Sequence, residues 1–232
     1  MSQPDTPFVL TREYLLDDSF REQLKELDPE MQLMPPEARA ASIATLLAGR
    51  RLDGGVWVFG YGSLIWNPLF HYVERRVGKI HGYHRRYCLW ARLGRGSPER
   101  PGLMLGLDRG GSCRGVAFRI AAREIESELG LLWRREMLTN AYDPQWVKVA
   151  TVAGAVDAIA FIVNRDFKRY VAPLPEAQIV EMLATAQGRL GDCATYLYNT
   201  VDHLATLGIR DPVLERICNQ VRARRRANGG EL

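Results

Sequence analysis

Short apolar runs separated by glycine fill the middle of the chain, and runs with helical spacing flank them on both sides. On the N-terminal side Pro35-Pro36 suits a helix start, because proline is tolerated in a first turn. Ala40, Ile43, Ala44 and Leu47 then recur at i, i+3, i+4 and i+7, which is one buried helical face. Gly49, followed by Asp53-Gly54-Gly55, closes that helix. The pattern changes at Val56. Val56-Trp57-Val58-Phe59 is apolar, β-branched or aromatic, and bounded by glycine on both sides, which predicts a buried strand. Segments 77–80, 87–90, 103–107, 115–120, 146–152 and 158–163 read as further strands. One helix interrupts them, over about 123–139. Helices return from about 175 to the end. Ile179, Met182, Leu183, Ala186 and Leu190 share one face, and Ala194, Leu197, Val201 and Leu204 another. Asp211-Pro212 reads as the cap and first position of a last helix. This many short strands favours a compact barrel-like sheet. No internal repeat or long linker breaks the pattern. The expectation is a single α+β domain, with a helical lead-in over about 1–54, a strand-rich core over about 55–207 and a C-terminal helix over about 211–226.

Composition narrows the class. With 232 residues, 47% of them hydrophobic and 25% charged, the chain can bury a core without disulfides or a structural metal. That excludes collagen-like, low-complexity and mainly disordered proteins. The net charge of +4 is mild, and much of the excess sits at Arg222, Arg224, Arg225 and Arg226. These read as a solvated helix end, where cations also complement the dipole, rather than a nucleic-acid surface. Cys88, Cys113, Cys193 and Cys218 form no C-x-x-C pair, so reduced thiols are expected. The start Met1-Ser2-Gln3-Pro4-Asp5 has no basic or apolar leader region, and no stretch approaches the ~20 apolar residues of a membrane helix. A cytoplasmic protein with no membrane partner is expected.

Two features could carry chemistry. In Phe59-Gly60-Tyr61-Gly62-Ser63-Leu64 a strand runs straight into Gly-x-Gly-Ser. Glycines there allow positive φ or close approach to a ligand, and successive N–H groups can form an anion-binding concavity. A plain tight turn is the competing reading. The segment lacks the third glycine of a dinucleotide fingerprint and the lysine of a phosphate loop. The second feature is Glu136. Ile125, Leu129, Leu132 and Trp133 form an apolar stripe, and Leu132 plus four gives 136. Glu124, Glu126, Glu128, Arg134 and Arg135 fall off that stripe or on its edges. A carboxylate on a buried face is expensive unless paired, and desolvation would raise its pKa into a range useful for proton transfer. A buried salt bridge to a nearby arginine explains the position equally well. His81 and His84 lack a further set of ligands with metal spacing, and His71 and His203 are isolated, so no metal site is expected.

The loop and its continuation, Phe59-Gly60-Tyr61-Gly62-Ser63-Leu64-Ile65-Trp66-Asn67-Pro68, closely resemble the signature of the ChaC-like γ-glutamylcyclotransferases. Further blocks are similar to that family in the same order: Gly82-Tyr83-His84-Arg85, Arg95-Gly96 with Pro101-Gly102, Gly115-Val116-Ala117-Phe118, Leu132-Trp133-Arg134-Arg135-Glu136-Met137 and Tyr142-Asp143-Pro144-Gln145-Trp146. The resemblance implies a small mixed β-barrel with flanking N- and C-terminal helices. It implies an enzyme that takes glutathione to 5-oxoproline and cysteinylglycine with no cofactor. It assigns catalysis to Glu136 and substrate binding to Phe59, Gly60, Tyr61, Gly62, Ser63 and Leu64. Tyr196, in Ala194-Thr195-Tyr196-Leu197, matches a substrate-contacting tyrosine of related cyclotransferases. Leu103 and Cys193 depart from the family pattern, which bears on how the leaving group is held. A cyclotransferase for other γ-glutamyl peptides or amines, or a non-catalytic γ-glutamyl-binding module, are the alternatives.

Overall fold

The computed structural model describes residues 10–229 except positions 18, 29 and 93. Three helices come first: α1 (Arg12–Leu16), α2 (Ser19–Leu27) and α3 (Pro36–Leu47). Five strands follow, with one long helix among them: β1 (Val56–Gly60), β2 (Glu74–Ala91), β3 (Gly102–Ile120), α4 (Ile125–Glu136), β4 (Tyr142–Thr151) and β5 (Gly154–Val163). Then come α5 (Glu176–Thr185), a short hairpin of β6 (Gln187–Gly188) and β7 (Gly191–Asp192), α6 (Cys193–Thr206) and α7 (Pro212–Ala227). The α+β expectation holds, and the strands close into a barrel in the order β1-β3-β2-β4-β5.

Two expected boundaries are wrong. Segments 77–80 and 87–90 are one strand, β2, and segments 103–107 and 115–120 are one strand, β3. The glycines that suggested breaks are bends inside these strands: Gly82, Gly110 and Gly111 have φ of 86, 102 and 67°. The face drawn through Ala186 and Leu190 also fails, because α5 stops at Thr185 and Leu190 lies between β6 and β7. Gly191, at φ 93°, makes that turn possible.

The chain packs as two compact units, and the division falls within β2 and β3. One unit comprises Thr11–Arg86 and Leu107–Lys168. Its core is built from strand residues that alternate inward, including Phe59, Ile80, Leu107, Ala117, Val149, Ala158, Ala160 and Ile162. β5 is buried on both faces from Ala158 to Val163, which explains its unbroken apolar run. Its other face, at Phe161, meets Trp133 of α4 edge-on at 5.1 Å. Trp133 Nε1 donates to Ser42 Oγ of α3 at 3.1 Å, so the indole is buried without an orphaned donor.

The second unit contains Tyr87–Gly106 and Arg169–Leu232. Val180 and Leu183 of α5, Leu197 and Leu204 of α6, and Leu214, Ile217, Cys218 and Val221 of α7 are among its buried apolar positions. Asp192 and Asp211 cap α6 and α7, accepting from Thr195 N and Leu214 N. The C-terminal arginines are not simply a solvated end. Arg224 pairs with Glu181 at 2.5 Å, Arg225 with Asp192 at 3.1 Å and Arg222 with Asp202 at 3.9 Å. Among the described residues no helix is long and apolar enough to cross a membrane.

Candidate active site

The geometry that brings Glu136 to the glycine loop follows from element lengths. β1 and β3 are antiparallel, with Val56 opposite Ile120 and Gly60 opposite Val116. The chain leaves β3 at Ile120, the Val56 end of β1, and enters α4 after one short turn. Twelve helical residues span roughly 18 Å, about the length of a five-residue strand. α4 therefore runs back toward the far end of β1, packed through Trp133 on Phe161 of β5, and its last turn reaches the loop after Gly60, where Arg135 meets Ser63.

The loop is an extended strand end that passes into a tight turn. Phe59, Gly60, Tyr61, Gly62 and Leu64 are buried, and Ser63 is half-buried. The Tyr61 hydroxyl donates to Phe161 O at 3.2 Å. Arg85 of β2 holds the loop from outside, its Nε donating to Tyr61 O at 2.5 Å and its Nη2 to Arg114 O at 2.7 Å. Within the turn, Ile65 N donates to Gly62 O at 2.9 Å and Asn67 N to Ser63 O at 2.8 Å. The N–H groups of Gly62, Ser63 and Leu64 donate to no acceptor among the described residues. They open the first turn of a short 3-10 helix, Ser63–Ile65, where N–H groups have no partner within the turn, and successive donors of this kind can hold an anion or oxyanion.

Positive φ is not what requires glycine here, and at Gly60 the requirement is close packing. Neither Gly60 nor Gly62 is left-handed, and Gly62 has φ −137°. A Cβ on Gly60 would lie 3.0 Å from the Phe118 ring and 3.2 Å from Leu64 Cβ.

Glu136 is largely withdrawn from solvent at the end of α4, with its side chain 13% exposed. Arg135 Nε lies 2.9 Å from Glu136 Oε1. The 2.9 Å separation is a close ion pair, though its angle is poor for a hydrogen bond. Burial pushes the Glu136 carboxyl above the usual carboxylate range, and Arg135 opposes this only in part. The two readings of Glu136 thus coexist: it has an arginine partner, and its carboxyl is still raised.

Arg135 was legible only as an edge position. Its side chain is 8% exposed. Nη2 donates to Ser63 Oγ at 2.8 Å, and Nη1 donates to Asn67 O. Glu128, another edge position, is buried as well. It accepts from Arg12 Nη1 at 2.6 Å, Arg12 Nη2 at 2.7 Å and His71 N at 2.9 Å. A helix packed on both flanks buries the margins of its stripe, and spacing alone does not reveal that.

The second unit carries the other expected contact residue. Tyr196 is buried in α6, with the Arg95 guanidinium 5.5 Å from its ring centroid. Arg95 Nη1 donates to Asp192 O at 3.1 Å. The departing positions Leu103 and Cys193 are both buried, and Cys193 Sγ donates to Arg95 O at 2.9 Å. Burial pushes the Cys193 thiol up to about 11, so it is not poised as a thiolate nucleophile. All four cysteines are buried and form no disulfide. Among the described residues, no three His, Cys, Asp or Glu side chains converge in a way that could hold a metal ion.

The family model of ChaC-like proteins matches residues 56–224. The Glutathione-specific gamma-glutamylcyclotransferase of Escherichia coli (strain K12) is 38% identical over 215 residues, 92% of this chain and 93% of that one. Glutathione-specific gamma-glutamylcyclotransferase 1 of Mus musculus is 32% identical over 173 residues, 72% of this chain and 78% of that one. A crystal structure of a γ-glutamyl cyclotransferase specific to glutathione from yeast aligns with a TM-score of 0.67 at 22% identity. It covers 74% of this chain and 97% of that one, and it shows the same fold. On the family match and the length of these alignments, the chain belongs to the ChaC-like family.

Proposed function

We propose that the protein is a glutathione-specific γ-glutamylcyclotransferase that releases 5-oxoproline and cysteinylglycine. One observation carries this reading. Three successive N–H donors at Gly62, Ser63 and Leu64 lie on a loop bound through Arg135 to a largely buried glutamate of raised pKa. The names of the E. coli and mouse relatives support it.

The γ-glutamyl group carries its own nucleophile. Its α-amine attacks the γ-carbonyl carbon, a five-membered ring closes, and the C–N bond to the cysteinyl nitrogen breaks. In water the amine is mostly protonated, the attacking geometry is rare and the amide nitrogen leaves poorly. The loop N–H groups address the second problem by gripping the α-carboxylate end, and positioning of this kind is worth up to roughly 7–11 kcal/mol in the best cases. Glu136 addresses the other two. It takes a proton from the α-ammonium before attack and delivers it to the departing nitrogen; the ring nitrogen then gives up its second proton by the same carboxylate, and the released amine takes it up as its ammonium, a proton relay typically worth about 10²–10⁴ in rate. A carboxylate held above its usual range keeps its charged and neutral forms close in energy, as that shuttle requires. A loop N–H facing the tetrahedral oxyanion adds about 10²–10³. The bond changes balance with proton transfer alone.

Tyr196 enters as a substrate contact on its family match. We read the enzyme as cytoplasmic, in keeping with four cysteines that form no disulfide.

The test is to incubate purified protein with glutathione and follow 5-oxoproline by mass spectrometry, with γ-glutamyl-alanine and N-acetyl-glutathione in parallel. Glutathione should be converted fastest, and the N-acetylated compound should be inert. No 5-oxoproline above a protein-free control would end this reading. Equal rates on γ-glutamyl-alanine would remove the glutathione specificity. Release of the leaving amine from the N-acetylated compound would show hydrolysis by another nucleophile.

A further inference from the structure

The side chain of Arg135 makes one set of contacts that spans the site. Nη2 reaches Ser63 Oγ, Nη1 reaches Asn67 O and Nε faces Glu136 Oε1. All three nitrogens of a single planar fork are engaged, two with the loop and one with the carboxylate. We propose that Arg135 is a positioning residue that couples the loop to Glu136, so that one guanidinium holds the N–H donors in place and sets the proton affinity of the glutamate. This proposal rests on the activity argued above.

Three features support it. First, the guanidinium is rigid and planar, so its distances to Ser63 and to Glu136 cannot vary independently. Second, Ser63 Oγ accepts from Arg135, which directs the single Ser63 O–H elsewhere as a donor, beside the free N–H groups of the turn. Third, Arg135 is the charged group acting on Glu136 among the described residues, and its charge opposes the effect of burial. Arg134, next to it in sequence, instead directs Nη1 to Leu15 O at 3.4 Å. When Glu136 takes a proton, Arg135 loses its ionic partner but keeps both loop contacts. The loop therefore stays fixed while the charge on the glutamate changes. A lysine would supply the charge without the fork.

The experiment compares Arg135→Gln, Arg135→Lys and Ser63→Ala with wild type by two readouts. One is the titration midpoint of the Glu136 carboxyl carbon by NMR in carbon-13-labelled protein, which does not depend on turnover. The other is KM and kcat for glutathione. Arg135→Gln should raise the Glu136 midpoint by about one pH unit or more, the usual size for loss of an adjacent opposite charge. It should also raise KM. Arg135→Lys should bring the midpoint back toward wild type while KM stays high. Ser63→Ala should raise KM and leave the midpoint in place. An unmoved midpoint in a folded Gln variant, or a Lys variant with wild-type KM, would overturn the proposal. If the Gln variant does not fold, the Lys and Ser63→Ala variants decide the matter. Wild-type KM in either of them, or a midpoint displaced equally in both, would overturn it. If wild type does not turn over glutathione, the activity reading fails by itself, and the midpoints still decide the charge coupling.

Discussion

Glu128 and Glu136 lie about two turns apart on α4, both largely withdrawn from solvent and both facing an arginine. Glu128 shows less surface to solvent, 2% of its side chain against 13% for Glu136, but Glu136 is the more closely surrounded by protein. Exposure alone would make Glu128 the stronger base, and the reverse is found. Burial works to raise the Glu128 carboxyl, but the Arg12 hydrogen bonds and the His71 N–H outweigh it and hold the group below the usual range. At Glu136 burial outweighs Arg135, and the group sits above that range. Two things differ, the enclosure of the group and the donors supplied to it. Glu128 accepts three hydrogen bonds, from Arg12 and the His71 N–H, whereas Arg135 is the one group that counters burial at Glu136 among the described residues. A carboxylate supplied with donors fastens the fold, and one left short of them can exchange a proton.

The sharpest way to break this contrast is to neutralise each side in turn. Glu136→Gln should lower kcat on glutathione by about 10²-fold or more, because Gln keeps the shape but cannot accept a proton. Its melting temperature at neutral pH should equal or exceed that of wild type. The sign follows from the raised carboxyl. The folded state holds that proton more tightly than the unfolded chain, so wild-type stability falls as pH rises through the raised pKa. The variant has no such loss, and its advantage should shrink on acidification.

Arg12→Met should act in the opposite way. It strands a buried carboxylate and should cost about 3 kcal/mol in chemical denaturation, with kcat per folded molecule close to wild type. Because the folded Glu128 carboxyl is depressed, its stabilisation is present above the unfolded value and is lost as pH falls through the folded one. The gap between variant and wild type should therefore narrow below about pH 4.

A smaller effect is expected at the loop support. A Cβ on Gly115 would press on the Gly60 carbonyl and the Phe59 ring. Gly115→Ala should destabilise by about 1–3 kcal/mol and raise KM by displacing the loop. The smallest lies in the other unit, where Asp192→Ala removes the cap of α6 and should cost about 1 kcal/mol by thermal melt, with little change in KM.

What the sequence made legible was local. The β1 strand, the loop after it, Glu136 on the α4 stripe and the Asp211-Pro212 cap all depend on spacing within a few residues. What it hid depends on contacts between distant residues. Arg135 meets Ser63 across 72 positions, and Arg12 meets Glu128 across 116. No periodicity marks either pair. The continuity of β2 and β3 was hidden for another reason. Left-handed glycines at Gly82, Gly110 and Gly111 look in sequence like turns, yet the strands pass through them. At Gly60 and Gly62 one of the two reasons offered for glycine, positive φ, does not apply, since the backbone there is not left-handed.

The most direct measurement is to titrate Glu128 and Glu136 side by side, following both carboxyl carbons by NMR in one labelled sample of the wild-type protein. The expected result is a Glu136 midpoint above the usual glutamate value of about 4.3 and a Glu128 midpoint below it. Coincident midpoints, or Glu136 titrating below Glu128, would contradict the claim that α4 carries one carboxylate for the fold and one for the chemistry.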